Sequence, residues 1–294
     1  MSKCKILLFV SLFLSILLTT SVYQATAQES KTTPAQTQAQ PSDDAIWQKW
    51  VDWLPTAPSM DSLATAVTQF RASLIASGAS AAEADREITV LRRLNHDRSD
   101  GWRLIFNNIY ANSNPGFTTQ PNALLVSAVE GCKPGRALDI GMGQGRNSVF
   151  LALKGWDVTG FDISDGGIEV ARKNAGRAGV KIDAVASTDE AFDYGIEKWD
   201  LIVFVYNPLP VTAQAYVERL RKSLKPGGLV VIEGPGAEIT QASRASTAID
   251  PGLLLAVFKD FRLLRYEDTV AKSDWPVVGE EMTRVVRMVV EKRP

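Results

Sequence analysis

Residues 136–148, Arg-Ala-Leu-Asp-Ile-Gly-Met-Gly-Gln-Gly-Arg-Asn-Ser, place an acid, Asp139, near the end of an apolar run and follow it with Gly141, Gly143 and Gly145. Glycine has no Cβ, so a turn with this spacing takes positive φ and brings its backbone close to a ligand before Asn147 to Lys154 wind into a helix. The chemistry this allows is binding of a nucleotide-type cofactor. A dinucleotide turn, Gly-x-Gly-x-x-Gly, needs its third glycine at position 146, where this chain has Arg, and the pyrophosphate reading weakens accordingly. A second acid, Asp162, closes the next apolar run, Trp156 to Asp162, where a carboxylate can accept hydrogen bonds from ribose hydroxyls.

The elements that position these residues can be read from periodicity. Gly155 stops the helix that follows the turn. Gly167 to Arg177 reads as helix, Val180 to Val185 as strand, and Trp199 to Tyr206 as a buried strand introduced by Asp200. Val211 to Leu224 carries helical apolar spacing, and Lys225-Pro226-Gly227-Gly228 hands it to a strand at Leu229–Ile232. Phe261 to Asp268 and Arg284 to Glu291 read as two further strands. Alternating strand and helix argues for a parallel sheet covered on both faces, with ligands beyond the carboxyl ends of its strands. Asp139, Asp162 and Tyr206-Asn207 all fall at such ends.

The acid two places before Gly-x-Gly-x-Gly, the acid after the second strand, the buried fourth strand and the helix, Lys-Pro-Gly-Gly, strand unit together resemble the class I S-adenosylmethionine-dependent methyltransferases, from Arg136 to the C-terminus. The resemblance implies an α/β fold: a Rossmann-like, seven-stranded, mostly parallel sheet with helices on both faces, closed by an antiparallel pair and preceded here by an N-terminal helical extension. It implies S-adenosyl-L-methionine as cofactor, with Asp139 near the donor's amino group, Gly141, Met142, Gly143 and Gly145 forming the backbone cradle, and Asp162 on the ribose. Ile163 would pack on adenine and Asp189 would meet its exocyclic amine, with Asp183, Ser187 and Glu190 as competing positions. Phe117, in Phe117-Thr118-Thr119-Gln120-Pro121-Asn122, stands where many members fold a segment over the cofactor; anchoring that loop to the core is its other reading.

Tyr206-Asn207-Pro208-Leu209-Pro210 occupies the place of the motif in which amino-methylating members carry Asn or Asp, then Pro-Pro, then an aromatic. Leu209 and Pro210 depart from it, so Tyr206 and Asn207 are candidates for contact with the reacting groups while a turn-forming Asn-Pro is the plainer reading. No cysteine stands in this loop for nucleophilic attack on a pyrimidine. The texture around Asp139 and Leu151 is most similar to small-molecule members of the thiopurine and tellurite-resistance type, which implies a soft small-molecule acceptor. Two alternatives stay open: an amine methyltransferase acting on protein or nucleic acid, and an exported non-enzymatic binding protein on the same fold.

The charge balance speaks against nucleic acid. With 32 basic and 33 acidic residues the formal charge is -1, and phosphate-backbone binding normally shows as clustered excess Lys and Arg. Lys3 and Lys5, the apolar stretch Ile6 to Leu18 and the small residues Ala25-Thr26-Ala27 read as a signal peptide over residues 1–27, predicting export, with an N-terminal membrane anchor as the alternative. Membrane contact is expected only there. Residues 28–44 read as a flexible linker, 45–131 as the helical extension and 132–294 as the cofactor-binding domain. In the extension, Trp47, Trp50, Val51 and Leu54, then Leu63, Val67, Phe70 and Leu74, then Ile88, Leu91 and Leu94, then Trp102, Ile105, Phe106, Ile109 and Tyr110 form apolar stripes, read as core rather than substrate cage. Cys132 reads as a packed thiol, His96 as a helix C-terminal cap, and no cysteine or histidine cluster suggests a metal.

Overall fold

The computed structural model describes residues 40–94, 98–112, 116–207, 210–237, 248–273 and 282–293. The expected signal peptide, residues 28–39 of the expected linker, His96, Pro208 and Leu209 lie outside the described residues, and the end of that linker, Asp43 and Asp44, already belongs to the first helix. Among the described residues no helix is long and apolar enough to cross a membrane.

Short apolar runs separated by polar helices produce one sheet. Its strands are β1 (Arg136–Ile140), β2 (Asp157–Asp162), β3 (Asp183–Ala186), β4 (Trp199–Val205), β5 (Leu224–Pro235), β6 (Arg262–Lys272) and β7 (Met282–Glu291). They are ordered β3-β2-β1-β4-β5-β7-β6. The first five pair in parallel, and β7 runs antiparallel between β5 and β6. The order reverses between β1 and β4, where the chain leaves β1 towards one edge and later returns to build towards the other. In open sheets of this kind ligands bind beyond the carboxyl ends at such a switch point.

Alternation along the strands sends Leu138, Ile140, Ile202, Phe204, Val230 and Ile232 into one core, against the helix α8 (Gln214–Ser223). Ala137, Leu201, Val203 and Val231 enter the opposite core, with Leu151 of α6 (Arg146–Leu153) and Leu124 and Leu125 of α5 (Ala123–Ala128). The buried face of α5, a segment assigned by sequence to the helical extension, thus belongs to the sheet's core. On the same side α7 (Asp165–Arg177) packs Ile168 and Ala171 against Met142 and Ala184.

Several boundaries differ from the sequence reading, each for a local reason. β5 begins at Leu224 rather than Leu229, because Leu224 pairs with Trp199 and Gly227 and Gly228 bond the backbone of Lys292, keeping the Lys-Pro-Gly-Gly segment extended. Val180 closes the end of α7, its N–H bonding the Ala175 carbonyl, so β3 starts only at Asp183. The helix expected from Val211 starts at Gln214, because Ala213 turns back onto the Pro210 carbonyl.

The extension is built from α1 (Asp43–Trp53), a 3-10 turn at Leu54–Thr56, α2 (Leu63–Ala76), α3 (Ala81–Leu94) and α4 (Ser99–Ala111). Ser80 and Glu83 form the capping box anticipated at the start of α3, with Ser80 N–H on Glu83 Oε2 at 2.8 Å and Glu83 N–H on Ser80 Oγ at 3.3 Å. Trp47, Trp50, Leu54, Met60, Phe70, Leu91, Ile105 and Ile109 meet in one core. Trp50 is fully buried, edge-on to Phe70 at 5.1 Å, which places the tryptophans in packing rather than around a ligand. Trp50→Ala is expected to destabilise the protein by about 3–5 kcal/mol, the usual cost of emptying a large aromatic site. Urea unfolding of the variant against wild type measures it.

Candidate functional site

The carboxyl ends of β1, β2 and β4 converge on the glycine turn. Gly141, Gly143 and Gly145 all have positive φ, at 65°, 51° and 78°. Two of them also admit close neighbours. A Cβ on Gly141 would fall 1.9 Å from Asn207 Nδ2, and one on Gly143 would fall 2.4 Å from the Tyr110 hydroxyl. Gly145 is buried against Ala171 and caps α6 in the left-handed conformation, so its role is helix packing. The Met142 side chain also turns away from the site, into the packing between Gly160 and α7.

The amides of Met142, Gly143, Gln144 and Gly145 are already engaged within the protein. Met142 N–H bonds the Phe161 carbonyl at 3.0 Å, Gly143 N–H bonds Asp162 Oδ2 at 2.9 Å and Gly145 N–H bonds the Met142 carbonyl at 2.8 Å. The Gln144 amide faces the Tyr110 hydroxyl and stabilises its oxygen. A phosphate cradle needs these amides free. The turn therefore offers a close-fitting surface rather than an anion nest.

Charge points the same way. Asp139 is buried, 2% exposed, and Ser148 Oγ donates to its Oδ2 at 2.7 Å. Burial pushes the Asp139 carboxyl up to about 6, against the lowering effect of Ser148 and Arg146. Asp162 accepts from Ser164 N–H at 2.8 Å as well as from Gly143, and burial raises its pKa against both bonds. Arg146 offsets part of the cost of burying Asp139, and burial still outweighs it. Two buried acids beside an amide-poor turn repel a pyrophosphate and suit a ligand carrying an ammonium and hydroxyl groups.

The backbone of segment 116–122 is fixed over the turn by polar side chains of the turn and of the start of α6. Gln144 Nε2 donates to the Thr118 carbonyl at 2.7 Å, Arg146 donates to the Gln120 carbonyl at 3.0 Å, and Asn122 N–H donates to Asn147 Oδ1 at 2.9 Å. Phe117 lies tilted on Tyr110 at 5.4 Å and joins the core of the extension.

Other sequence candidates are distributed around this centre. Ile163 follows Asp162 and is half-buried. Asp189 is buried in a cluster of its own, where one carboxylate oxygen accepts from the hydroxyls of Tyr194 and Tyr216 and the other from Arg219, whose guanidinium lies 4.7 Å from both tyrosine ring centroids. Burial raises both tyrosines, so they stay protonated donors. Tyr206 ends β4 with a left-handed backbone, φ 51°, rare for an aromatic residue. Its N–H bonds the Glu233 carbonyl at 2.7 Å and its hydroxyl bonds Glu233 Oε1 at 3.1 Å. Arg287 pairs with Glu233 Oε2 at 2.8 Å and with Glu267 at 3.1 Å, so this buried acid is neutralised. The turn at Tyr206 delivers Asn207 onto Gly141.

Sequence reasoning missed Ser148, Asn107, the Glu233–Arg287 pair and the position of Tyr110 over the turn. Asn107 Oδ1 accepts from Ser164 Oγ at 2.8 Å and Gly166 N–H at 3.1 Å, joining α4 to the start of α7. The Asp165-Gly166-Gly167 start of a helix was a usable signal, since glycine there costs helix stability and marks a close approach.

Residues 137–228 match the sequence profile of the family described as "Methyltransferase domain". A ubiquinone biosynthesis O-methyltransferase of Chelativorans sp. (strain BNC1) is 40% identical over 98 residues, covering 33% of this chain and 39% of that protein. The chain thus spans 39% of the length of several such O-methyltransferases that it matches. TehB from Haemophilus influenzae superposes with a TM-score of 0.51 at 19% identity, over 65% of this chain and 67% of its own. The N-methyltransferase NodS from Bradyrhizobium japonicum WM9, in complex with S-adenosyl-l-homocysteine, gives 0.51 at 17% identity, over 65% and 98%. These likenesses establish the fold.

The Asp139 environment yields a test in the ligand-free protein. Its folded pKa, about 6, lies above the ordinary 3.8, so folding disfavours the ionised form and Asp139 costs stability increasingly as pH rises from about 4 to about 6, with the cost constant above that. Asp139→Asn is therefore expected to stabilise the ligand-free protein at pH 8, by on the order of 1–3 kcal/mol, at 1.36 kcal/mol per pKa unit and less for the altered Ser148 bond. The advantage shrinks as pH falls from 6 towards 4. Chemical denaturation at both ends of that range checks the sign.

Proposed function

We propose that this protein is an S-adenosyl-L-methionine-dependent methyltransferase that acts on a small-molecule acceptor. The observation that carries this reading is the glycine turn with its amides engaged and two buried carboxylates beside it. That site suits a zwitterionic, ribose-bearing ligand and disfavours a dinucleotide. The methyltransferase profile over 137–228 supports the same reading from sequence.

When bound, the cofactor supplies an electrophilic methyl on a sulfonium centre; the protein's own residues bind, align and exclude water. Ionised Asp139 at the end of β1 attracts the donor's ammonium. Gly141 and Gly143 let Asn207 and Tyr110 close on the backbone beside the ligand, and Asp162 accepts from the ribose hydroxyls. Ile163 covers one adenine face. Asp189 supports the adenine end indirectly, since its oxygens are committed to Tyr194, Tyr216 and Arg219. Asn207, held against Gly141 by the left-handed turn at Tyr206, orients the acceptor. In-line displacement needs alignment of nucleophile and methyl more than a dedicated acid or base. The small-molecule acceptor follows the balanced charge and the O-methyltransferase relatives. The signal-like N-terminus supports an activity outside the cytoplasm.

Calorimetric titration of the chain from Gln28 onward with S-adenosylhomocysteine and with NAD tests the reading. Saturable binding of the first alone is expected, and binding of NAD alone would overturn it. Asp162→Asn is expected to weaken S-adenosylhomocysteine about 10- to 100-fold, the range for hydrogen bonds to a charged group. Donor affinity should also fall as pH drops below about 6, because Asp139 is neutralised there.

A further inference from the structure

Tyr110 belongs by sequence to an apolar stripe of α4, yet it leaves the helical extension and lies on the glycine turn. Its hydroxyl sits where a Gly143 Cβ would be, and its ring edge occupies the space a Gly167 Cβ would fill, 2.9 Å from Cε2. Asn107, one helical turn earlier, anchors this stretch of α4 by accepting from Ser164 Oγ and Gly166 N–H. Two consecutive glycines in the first turn of α7, each unfavourable in a helix, are explained by the close approach of the tyrosine. Asp162 holds the N–H of the same Gly143 that the phenol covers, so hydroxyl and carboxylate flank one residue.

The two groups are chemically complementary. The ionised Asp162 only accepts hydrogen bonds. The Tyr110 oxygen faces the Gln144 amide, and among the described residues no acceptor takes its proton. Burial, then the nearby Asp162 charge, holds the phenol well above its ordinary pKa, so the proton is present at any working pH. A ribose hydroxyl both donates and accepts, and a site with one acceptor and one donor side by side satisfies both functions of one hydroxyl.

We propose that Tyr110 is a donor-binding residue contributed by the helical extension, its O–H donating to a ribose hydroxyl whose own proton goes to Asp162. This rests on the methyltransferase reading above and deepens it: the extension completes the donor site instead of merely preceding it. Asn107 acts through Tyr110 as a positioning residue, by fixing α4 on α7.

Tyr110→Phe keeps the ring and deletes the proton donor. Calorimetry of wild type and variant with S-adenosylhomocysteine and with 5′-methylthioadenosine, which keeps the ribose and lacks the amino-acid part, is expected to show the same loss for both ligands, about three- to tenfold, as for a neutral hydrogen bond. Thermal unfolding of the variant should stay close to wild type. An unchanged affinity for both ligands would reduce Tyr110 to packing and overturn the proposal. A loss confined to S-adenosylhomocysteine would also overturn it, by assigning the hydroxyl to the amino-acid carboxylate. A cycle with 2′-deoxy and 3′-deoxy 5′-methylthioadenosine identifies the hydroxyl: one of these analogues should bind wild type and Tyr110→Phe equally, and sensitivity of both refutes the ribose assignment. Failure of wild type to bind any of these nucleosides defeats the methyltransferase reading itself, a result distinct from intact wild-type binding with an indifferent variant.

Discussion

The carboxylate of Asp162 is the joint on which the site depends. One oxygen takes the Gly143 amide of the β1 turn and the other takes the Ser164 amide at the start of α7, tying together the two loops that flank the site. Burial works against this carboxylate and the two amides work for it, so its geometry is fixed by the backbone instead of by a counter-ion. Fixing the loops in this way sets where Gly141 and Gly143 meet Asn207 and Tyr110. It also consumes a donor that a phosphate would need, so the same bond builds the cradle and narrows the ligands it accepts.

Electrostatic treatment differs between the acids around this joint, and the difference separates binding from support. Glu233 and Asp189 are buried but each has an arginine partner, Arg287 and Arg219. Asp162 is buried on two backbone amides, and Asp139 is buried on the Ser148 hydroxyl with the charge of Arg146 acting on it. A charge whose burial outweighs its partners, as at Asp139, is costly, and that cost is recovered when a cationic group arrives. The paired acids act as structure: Glu233 holds both the N–H and the hydroxyl of Tyr206 through its own carbonyl and carboxylate, which sustains a left-handed backbone that an aromatic residue adopts only under such constraint. That strain aims Asn207 at Gly141, linking a buried ion pair to the mouth of the site.

Much of this was legible in the chain. The acid, the glycine spacing and the second acid are local patterns, and they fall at the ends of β1 and β2 as expected. The closing β6–β7 pair and the capping box of α3 were local as well. What escaped was non-local. Asp189 could be placed after β3, but its partners Tyr216 and Arg219 reach it only through the packing of α8 on the sheet, and no spacing rule predicts that encounter. Tyr110 sat in phase with Trp102 and Phe106, so periodicity assigned it to packing; Trp102, Phe106 and Tyr110 do stack in sequence along α4, and only the docking of α4 against α7 reveals that the last ring projects beyond the stripe. Helical phase reports which face is apolar. It does not report what lies past the end of the face.

That docking explains why the extension and the sheet, each with an apolar core, form one compact unit from Pro41 onward. The polar ties between them gather at the glycine turn: Asn107 on Ser164 and Gly166, Gln144 on Thr118, Arg146 on Gln120 and Asn122 on Asn147. Each such bond contributes only about 1 kcal/mol, so no single one secures the interface, and their value lies in being concentrated at one place. Loosening the extension therefore disturbs the turn before it disturbs either core. A ligand lying on the turn would in return strengthen the joint between them, because whatever binds the docked arrangement better than the open one stabilises it by the difference. The coupling of cofactor site to helical extension follows from where the hydrogen bonds are, and needs no motion of the sheet.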